Sequence, residues 1–369
     1  METPILKPIG TPVEQLDTPS LILDLSVLER NIEYMHSFFC DKDVTLRPNV
    51  STHLCPAIAH KQVAAGGTSG GICVTTVGQA EIFAESGFTD LFLTTVTVTP
   101  LKIVRLCALA LSANITLAAD NIHAVRGISE IALSKNVKLD VVVEINSGLD
   151  MCGVEPGYPA LELAKVIHES PSLNFAGLMT DHGLLNHMDT NNLSDEIHRC
   201  IGDVIETKNI IEKDGLSVDK VSVGGTTGFD VVSEIEEVTE IRAGSYALLD
   251  GTYSTFEPQF GVAARVMTTV TSLPEVGIII TDGGGKSIGS EWGNPSVDNL
   301  TDVTVQGLSA EHVNLRRSLD IVDVPSIGSK VWFTPSDMRT CSNLHDYFFG
   351  VRGGILETVW NISARGRYR

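Results

Sequence analysis

Short apolar runs alternate with longer amphipathic stretches over the first two-thirds of the chain. Runs at 44–47, 71–75, 91–94, 116–119, 138–145, 174–180, 219–223 and 240–242 have the length of strands. Between them, segments such as 78–86, 100–112, 121–134, 158–169 and 191–213 carry apolar residues at the three- and four-residue spacing of a helix face. Strands alternating with helices predict βαβ units and a parallel sheet. Eight such strands predict a closed (β/α) barrel of the TIM type, placed at residues 26–250, in preference to an open sheet. The short repeats and the lack of a GxGxxG after the first strand argue against a dinucleotide-binding sheet.

The texture changes after about Leu249. Runs at 262–273, 276–281, 303–307, 330–333, 346–351 and 355–360 read as β-strands separated by Gly-rich turns. They predict a β-domain over residues 251–369. An N-terminal arm, residues 1–25, ends in the strand SLILD (20–24), which is expected to join that domain, and Val27–Phe39 reads as a helix.

Composition narrows the classes. Of 369 residues, 43% are hydrophobic and 20% charged, which describes a globule with ample core. The net charge of -20 disfavours nucleic acid, whose phosphates need Lys and Arg to displace counterions. No window approaches the run of roughly 18 apolar residues that a membrane span needs. The N-terminus lacks a basic start followed by an apolar segment, so no signal peptide is expected. Seven scattered cysteines without a CxxC pair point to a reducing compartment, and a cytoplasmic location is expected.

Candidate chemistry collects at the C-terminal ends of the barrel strands, where such barrels place their sites. Arg47, Asn49, Ser51, Thr52 and His53 follow the first strand; Glu144, Asn146 and Asp150 follow the fifth; Asp181, His182 and His187 follow the sixth. VSVGGTTGFD (221–230) ends a strand with Gly224, Gly225, Thr226 and Thr227 and is read as opening a helix. Glycines there let backbone N–H groups close on an anion. The next loop, IRAGSYALLD (241–250), adds Gly244 and Ser245, and two such loops side by side predict a phosphate cup. Asp337 and Arg339 read, without further context, as a surface ion pair.

These segments in order resemble the D-threonine aldolase and D-serine dehydratase family of alanine-racemase-like pyridoxal-phosphate enzymes. The resemblance is carried by TPSLILDLSVLERNI (18–32), GQAEIFAESGFTDLFLT (78–94), VSVGGTTGF, EIRAGSYALLD, TDGGGKSIGSEWG (281–293), GLSAEHVNL (307–315) and LHDYFFGVRGG (344–354). It implies an eight-stranded barrel plus a β-domain, paired into a homodimer.

The resemblance also marks departures. The family's first loop reads RPHxKTHK, its first lysine forming the Schiff base; here it is RPNVSTHL, with Ser51 at the lysine position and Asn49 at the histidine position. A segment like DxGxxRCGV becomes NSGLDMCGV, with Met151 for the arginine. Asp181 stands where the family has a tyrosine before HG, while His187 matches its second histidine there. The metal motif PxHxC or PxHxD, for zinc or manganese, becomes PSDMR, with Asp337 and Arg339 at the ligand positions. A serine hydroxyl forms no internal aldimine, and an arginine does not ligate a cation.

The expectation is therefore no covalently bound cofactor, a lost family metal site, and a small-molecule ligand in the retained cup. Three readings stay open. The first is a repurposed lyase-, aldolase- or isomerase-like enzyme acting on a carboxylated or phosphorylated metabolite. Its catalytic groups would be drawn from Ser51, His53, Asp181, His182, His187 and Asp337, with Arg47, Asn49, Asp150 and Arg339 on the substrate. The second is a catalytically silent relative that binds a phosphorylated ligand or a partner subunit. The third, placed last, keeps pyridoxal phosphate non-covalently.

Overall fold

A computed structural model describes residues 7–148, 150–182, 192–318 and 325–369. The chain divides into a sheet unit (Met1–Glu33, Thr52–Ala57 and Ser245–Arg365) and a barrel unit (Tyr34–Ser51, Ile58–Gly244 and Gly366–Arg369).

The chain starts with β1 (Ser20–Asp24) and α1 (Leu25–Phe39). Eight strands follow: β2 (Thr45–Leu46), β3 (Ile72–Val74), β4 (Asp90–Leu93), β5 (Asn114–Ala119), β6 (Leu139–Glu144), β7 (Leu173–Asp181), β8 (Lys220–Gly224) and β9 (Glu240–Arg242). Between them run α2 (Pro56–Ala64), α3 (Val77–Glu85), α4 (Pro100–Leu109), α5 (Ile122–Ser134), α6 (Tyr158–Glu169), α7 (Leu193–Lys213) and the single turn α8 (Phe229–Val232).

All neighbouring barrel strands pair in parallel, in the order β2-β9-β8-β7-β6-β5-β4-β3. The row closes where Leu46 N–H donates to Gly67 O at 3.0 Å and Cys73 N–H to Pro48 O at 2.8 Å. Two helix starts are fixed by side chains: Thr76 accepts from Gln79 N–H before α3, and Asn121 from Ala124 N–H before α5. The interior is packed by Cys73, Phe92, Ala118, Val142 and Met179, so the barrel is filled and its chemistry is confined to its ends.

The sheet unit holds β1 between β10 (Ala264–Ser272), antiparallel to it, and β16 (Tyr347–Arg352), parallel to it. Outward on one side lie β11 (Ile278–Thr281), β14 (Val313–Arg317) and β13 (Val303–Leu308); on the other lies β17 (Ile355–Asn361). β15 (Lys330–Thr334) also pairs with β10 and carries the two-residue β12 (Ser296–Val297). The core under this sheet is Val13, Leu16, Ile22, Met267, Val351 and Leu356. α9 (Met338–Asn343) is a short helix between β15 and β16. Among the described residues, no helix is long and apolar enough to cross a membrane.

Two expectations about elements change. Strand β14 and helix α9 are not among the elements that the sequence pattern predicts, and the helix expected after the Gly224–Gly225 turn shrinks to one turn, α8. Phe229 still anchors that turn, meeting Phe38 edge-on at 5.0 Å. A single turn carries little macrodipole, so any anion held there depends on local N–H groups and shape.

Candidate active site

The barrel strands deliver a charged set to their C-terminal ends. Arg242, the last residue of β9, is 2% exposed and rigidly held. It donates from Nη1 to Ser222 O at 2.9 Å and from Nη2 to Thr180 O at 2.8 Å, with its guanidinium 5.3 Å from the Phe92 ring centre. Asp181 ends β7 and Gly224 ends β8 beside it. A Cβ on Gly224 would lie 2.8 Å from the Asp181 carboxyl carbon and 2.9 Å from Arg242 Nη2. The missing side chain is what lets these two charges flank one space.

Glu144 ends β6 and is half-buried. Its Oε2 is buried and has no hydrogen-bond partner among the described residues. Burial is the main reason its carboxyl is pushed up to about 7; Arg242 opposes the shift, and Asp120 and Asp181 reinforce it. Asp120 itself accepts from Gly153 N–H at 3.2 Å and from Asn121 Nδ2 at 2.6 Å. A carboxyl tuned near neutrality, among charges at a barrel mouth, has the properties of a general acid or base. In the sequence Glu144 is one strand-end carboxylate among several, with no role assigned, and Arg242 is not among the candidates.

The glycine loops form a tight cradle. Gly225, at φ +128, donates its N–H to Arg242 O at 2.9 Å. Thr226 Oγ1 accepts from Gly244 N–H at 3.3 Å, tying the two loops together. A Cβ on Gly244 would sit 2.2 Å from Asn49 O, so only glycine permits this approach of the first and last strand loops. Asn49 Oδ1 accepts from Ser51 N–H at 3.1 Å, which orders the 3-10 turn Val50–Thr52. The structure thus sets two hydrogen-bonded pairs, Asn49–Ser51 and Thr226–Gly244, side by side where Gly244 passes the Asn49 carbonyl, and groups Asp181, Gly224, Arg242 and Glu144 in a charged set. Thr227 is buried, and its carbonyl serves His182. Ser245 directly follows Gly244 in the chain and opens a buried 3-10 turn of the sheet unit.

Several expected site residues have other duties. Arg47 is 3% exposed and pairs with Glu240 (Nε to Oε2, 2.6 Å) and Asp90 (Nη1 to Oδ1, 3.1 Å). Both partners are the first residues of their strands, so Arg47 turns toward the opposite end of the barrel and is no substrate contact. His182 is fully buried, with Nε2 donating to Thr227 O at 2.8 Å. Burial lowers its pKa and keeps it neutral; its Nδ1 has no partner among the described residues. His53 is also fully buried, its Nδ1 accepting from Cys55 N–H at 3.1 Å, which fits a loop-forming role. Asp150 stays in an exposed loop, hydrogen-bonded to Asn146 Nδ2 at 3.1 Å. His187 lies outside the described residues.

Within the sheet unit, Asp337 caps α9 through Thr340 N–H at 2.8 Å and takes Arg339 Nε on its other oxygen at 2.8 Å. Asp337 is 5% exposed, so this pair is not the surface bridge expected from sequence. Among the described residues, no group of three His, Cys, Asp or Glu side chains is placed to hold a metal ion.

Comparisons with known proteins agree with this architecture. Residues 23–250 match the family model for the alanine racemase N-terminal domain, and residues 263–351 match that for a putative serine dehydratase domain. The chain is 34% identical to a D-threonine aldolase of Arthrobacter sp., covering 97% of this chain and 95% of that one. It is 31% identical to a 3-hydroxy-D-aspartate aldolase of Paracoccus denitrificans, over 97% and 94%. The crystal structure of a D-threonine aldolase from Filomicrobium marinum superposes with a TM-score of 0.92 at 34% identity, covering 98% of this chain and 99% of that one.

Proposed function

Because the chain belongs to the D-threonine aldolase and 3-hydroxy-D-aspartate aldolase family of pyridoxal-phosphate-dependent lyases, we propose that it is a divergent lyase- or isomerase-like enzyme whose barrel mouth takes a small carboxylated or phosphorylated metabolite without a Schiff-base-linked cofactor. What carries this reading is the coexistence, at one barrel mouth, of a glycine cradle at 224, 225 and 244 with a hydroxyl at position 51. The side-chain-free turns leave room for the phosphate end of pyridoxal phosphate, while Gly225 and Gly244 spend their own N–H groups on Arg242 O and Thr226 Oγ1; that cofactor would supply an electron sink for carbanions when bound. Position 51 offers no amine to hold it covalently, and amine condensation is what that attachment requires.

In this reading the residues divide the work. The Gly224–Gly225 turn and Gly244 shape the anion subsite, Arg242 supplies a fixed positive charge, and Asn49 and Ser51 offer polar contacts. Glu144 holds or delivers a proton, since its carboxyl changes charge near neutrality. Asp181, across from Arg242, shapes the field that Glu144 feels. A paired, homodimeric assembly is part of the proposal, from the family resemblance.

A second reading, a silent ligand-binding relative, is favoured by the burial of His53 and His182 and by Met151, which is 74% exposed where the resemblance calls for an arginine. Turnover decides between them. Wild-type protein and Glu144→Gln are assayed against a panel of phosphorylated and carboxylated metabolites, with binding measured in parallel. Turnover lost in Glu144→Gln while binding persists supports the enzyme; binding to wild type with no turnover supports the silent relative.

A further inference from the structure

The sheet unit concentrates charge where the family resemblance places a metal. Asp337 and Asp250 are 5% and 1% exposed, and the Asp337 charge disfavours ionisation of Asp250. Asp250 is held entirely by backbone: Oδ1 accepts from Thr252 N–H at 3.1 Å and Tyr253 N–H at 2.9 Å, and Oδ2 from Met338 N–H at 3.0 Å. Those N–H groups orient the carboxylate but add no net charge. The cation comes from Arg339, which binds Asp337 Oδ2 through both Nε and Nη2 and also favours the charged form of Asp250. Its guanidinium lies 5.6 Å from the Trp292 ring centre, in cation–π range.

We infer that Arg339 is a tethered counter-cation that stands in the electrostatic place of a metal in this unit, balancing the Asp337 charge directly while Asp250 rests on backbone N–H groups. This goes beyond the proposed reaction and does not depend on it. Two buried carboxylates are strongly unfavourable as a pair of bare charges, and a cation among them lessens the cost of ionising both. A guanidinium meets that need, and at the same site it repels Zn²⁺ or Mn²⁺. The arrangement also accounts for Asp337 and Arg339 occurring together at the two ligand positions: each charge is balanced by the other.

The test reads metal content and stability, not activity. Wild type, Arg339→Gln, Arg339→Lys and the double variant Asp337→Asn/Arg339→Gln are titrated with Mn²⁺ and with Zn²⁺, desalted and analysed for bound metal, and melted with and without the ions. Wild type and Arg339→Lys should retain no stoichiometric metal, and the Tm of each should not change on adding the ions. Arg339→Gln should melt several degrees lower and regain part of that loss in Mn²⁺. The double variant should recover stability relative to Arg339→Gln without metal, because it removes the uncompensated carboxylate; this keeps the idea testable if Arg339→Gln folds poorly. Stoichiometric metal in wild type overturns the inference. So does a double variant less stable than Arg339→Gln, which would mean Asp337 is needed for capping alone.

Discussion

Glu144 carries the sharpest consequence at the scale of single residues. Its folded carboxyl is raised to about 7 from 4.5, so below pH 4.5 both folded and unfolded forms are protonated and it costs nothing. As pH rises from 4.5 to 7 the unfolded chain releases its proton first, and stability falls; above 7 the loss is complete, of the order of 3 kcal/mol. Urea unfolding of wild type across this window should show that decline, and Glu144→Gln should show a flatter profile. Equal slopes in the two proteins would mean that the carboxyl titrates normally. Residue chemistry is only partly legible in the sequence. Ser51 and Arg339 stand out because the resemblance supplies a contrast. Glu144 and Arg242 do not, because nothing local shows that one strand end will be half-buried, or that another will lie against Phe92. His53, His182 and Arg47 are over-read, since polar residues at strand ends look alike until their partners are known.

Among the elements, the close approach of loops in the barrel unit makes two further predictions. A Gly244→Ala Cβ would meet the Asn49 carbonyl at 2.2 Å, and backbone on both sides can yield little. That substitution should cost about 1–3 kcal/mol in urea unfolding and weaken binding of inorganic phosphate. At the opposite barrel end, Arg47 and Glu240 are each 4% exposed in their side chains, and Ser222 Oγ completes the pair by donating to Glu240 Oε1 at 2.6 Å. Glu240→Gln strands a buried guanidinium with Asp90 as its remaining counter-charge, and should cost about 3 kcal/mol; a denaturant midpoint equal to wild type would argue that Asp90 suffices. Gly71 belongs to the same device, since a Cβ there would be 2.0 Å from Arg47 Nη1. The barrel strands are legible because parallel strands covered on both faces read as apolar runs. Strand β14 is not, because VNLRR buries Val313, Leu315 and Arg317 on one face, and its arginines mask the alternation. Helix α8 is over-read because glycines before Phe229 mark the turn but not the length of helix after it.

For the whole molecule, family membership fixes the fold, and the replaced residues are the ground on which a departure from the family's chemistry is proposed. In the proposals above, the glycine loops of the barrel unit take an anion and Arg339 serves the sheet unit as its own counter-cation. Chelation should therefore leave the melting temperature of purified wild-type protein unchanged. The most direct measurement is intact-mass spectrometry after incubation with pyridoxal phosphate and borohydride, which fixes any Schiff base as a stable adduct, followed by peptide mapping. Wild type should carry no pyridoxyl group at the barrel mouth, whereas Ser51→Lys should gain one at position 51. A stoichiometric adduct on a wild-type lysine lining that mouth would contradict the account.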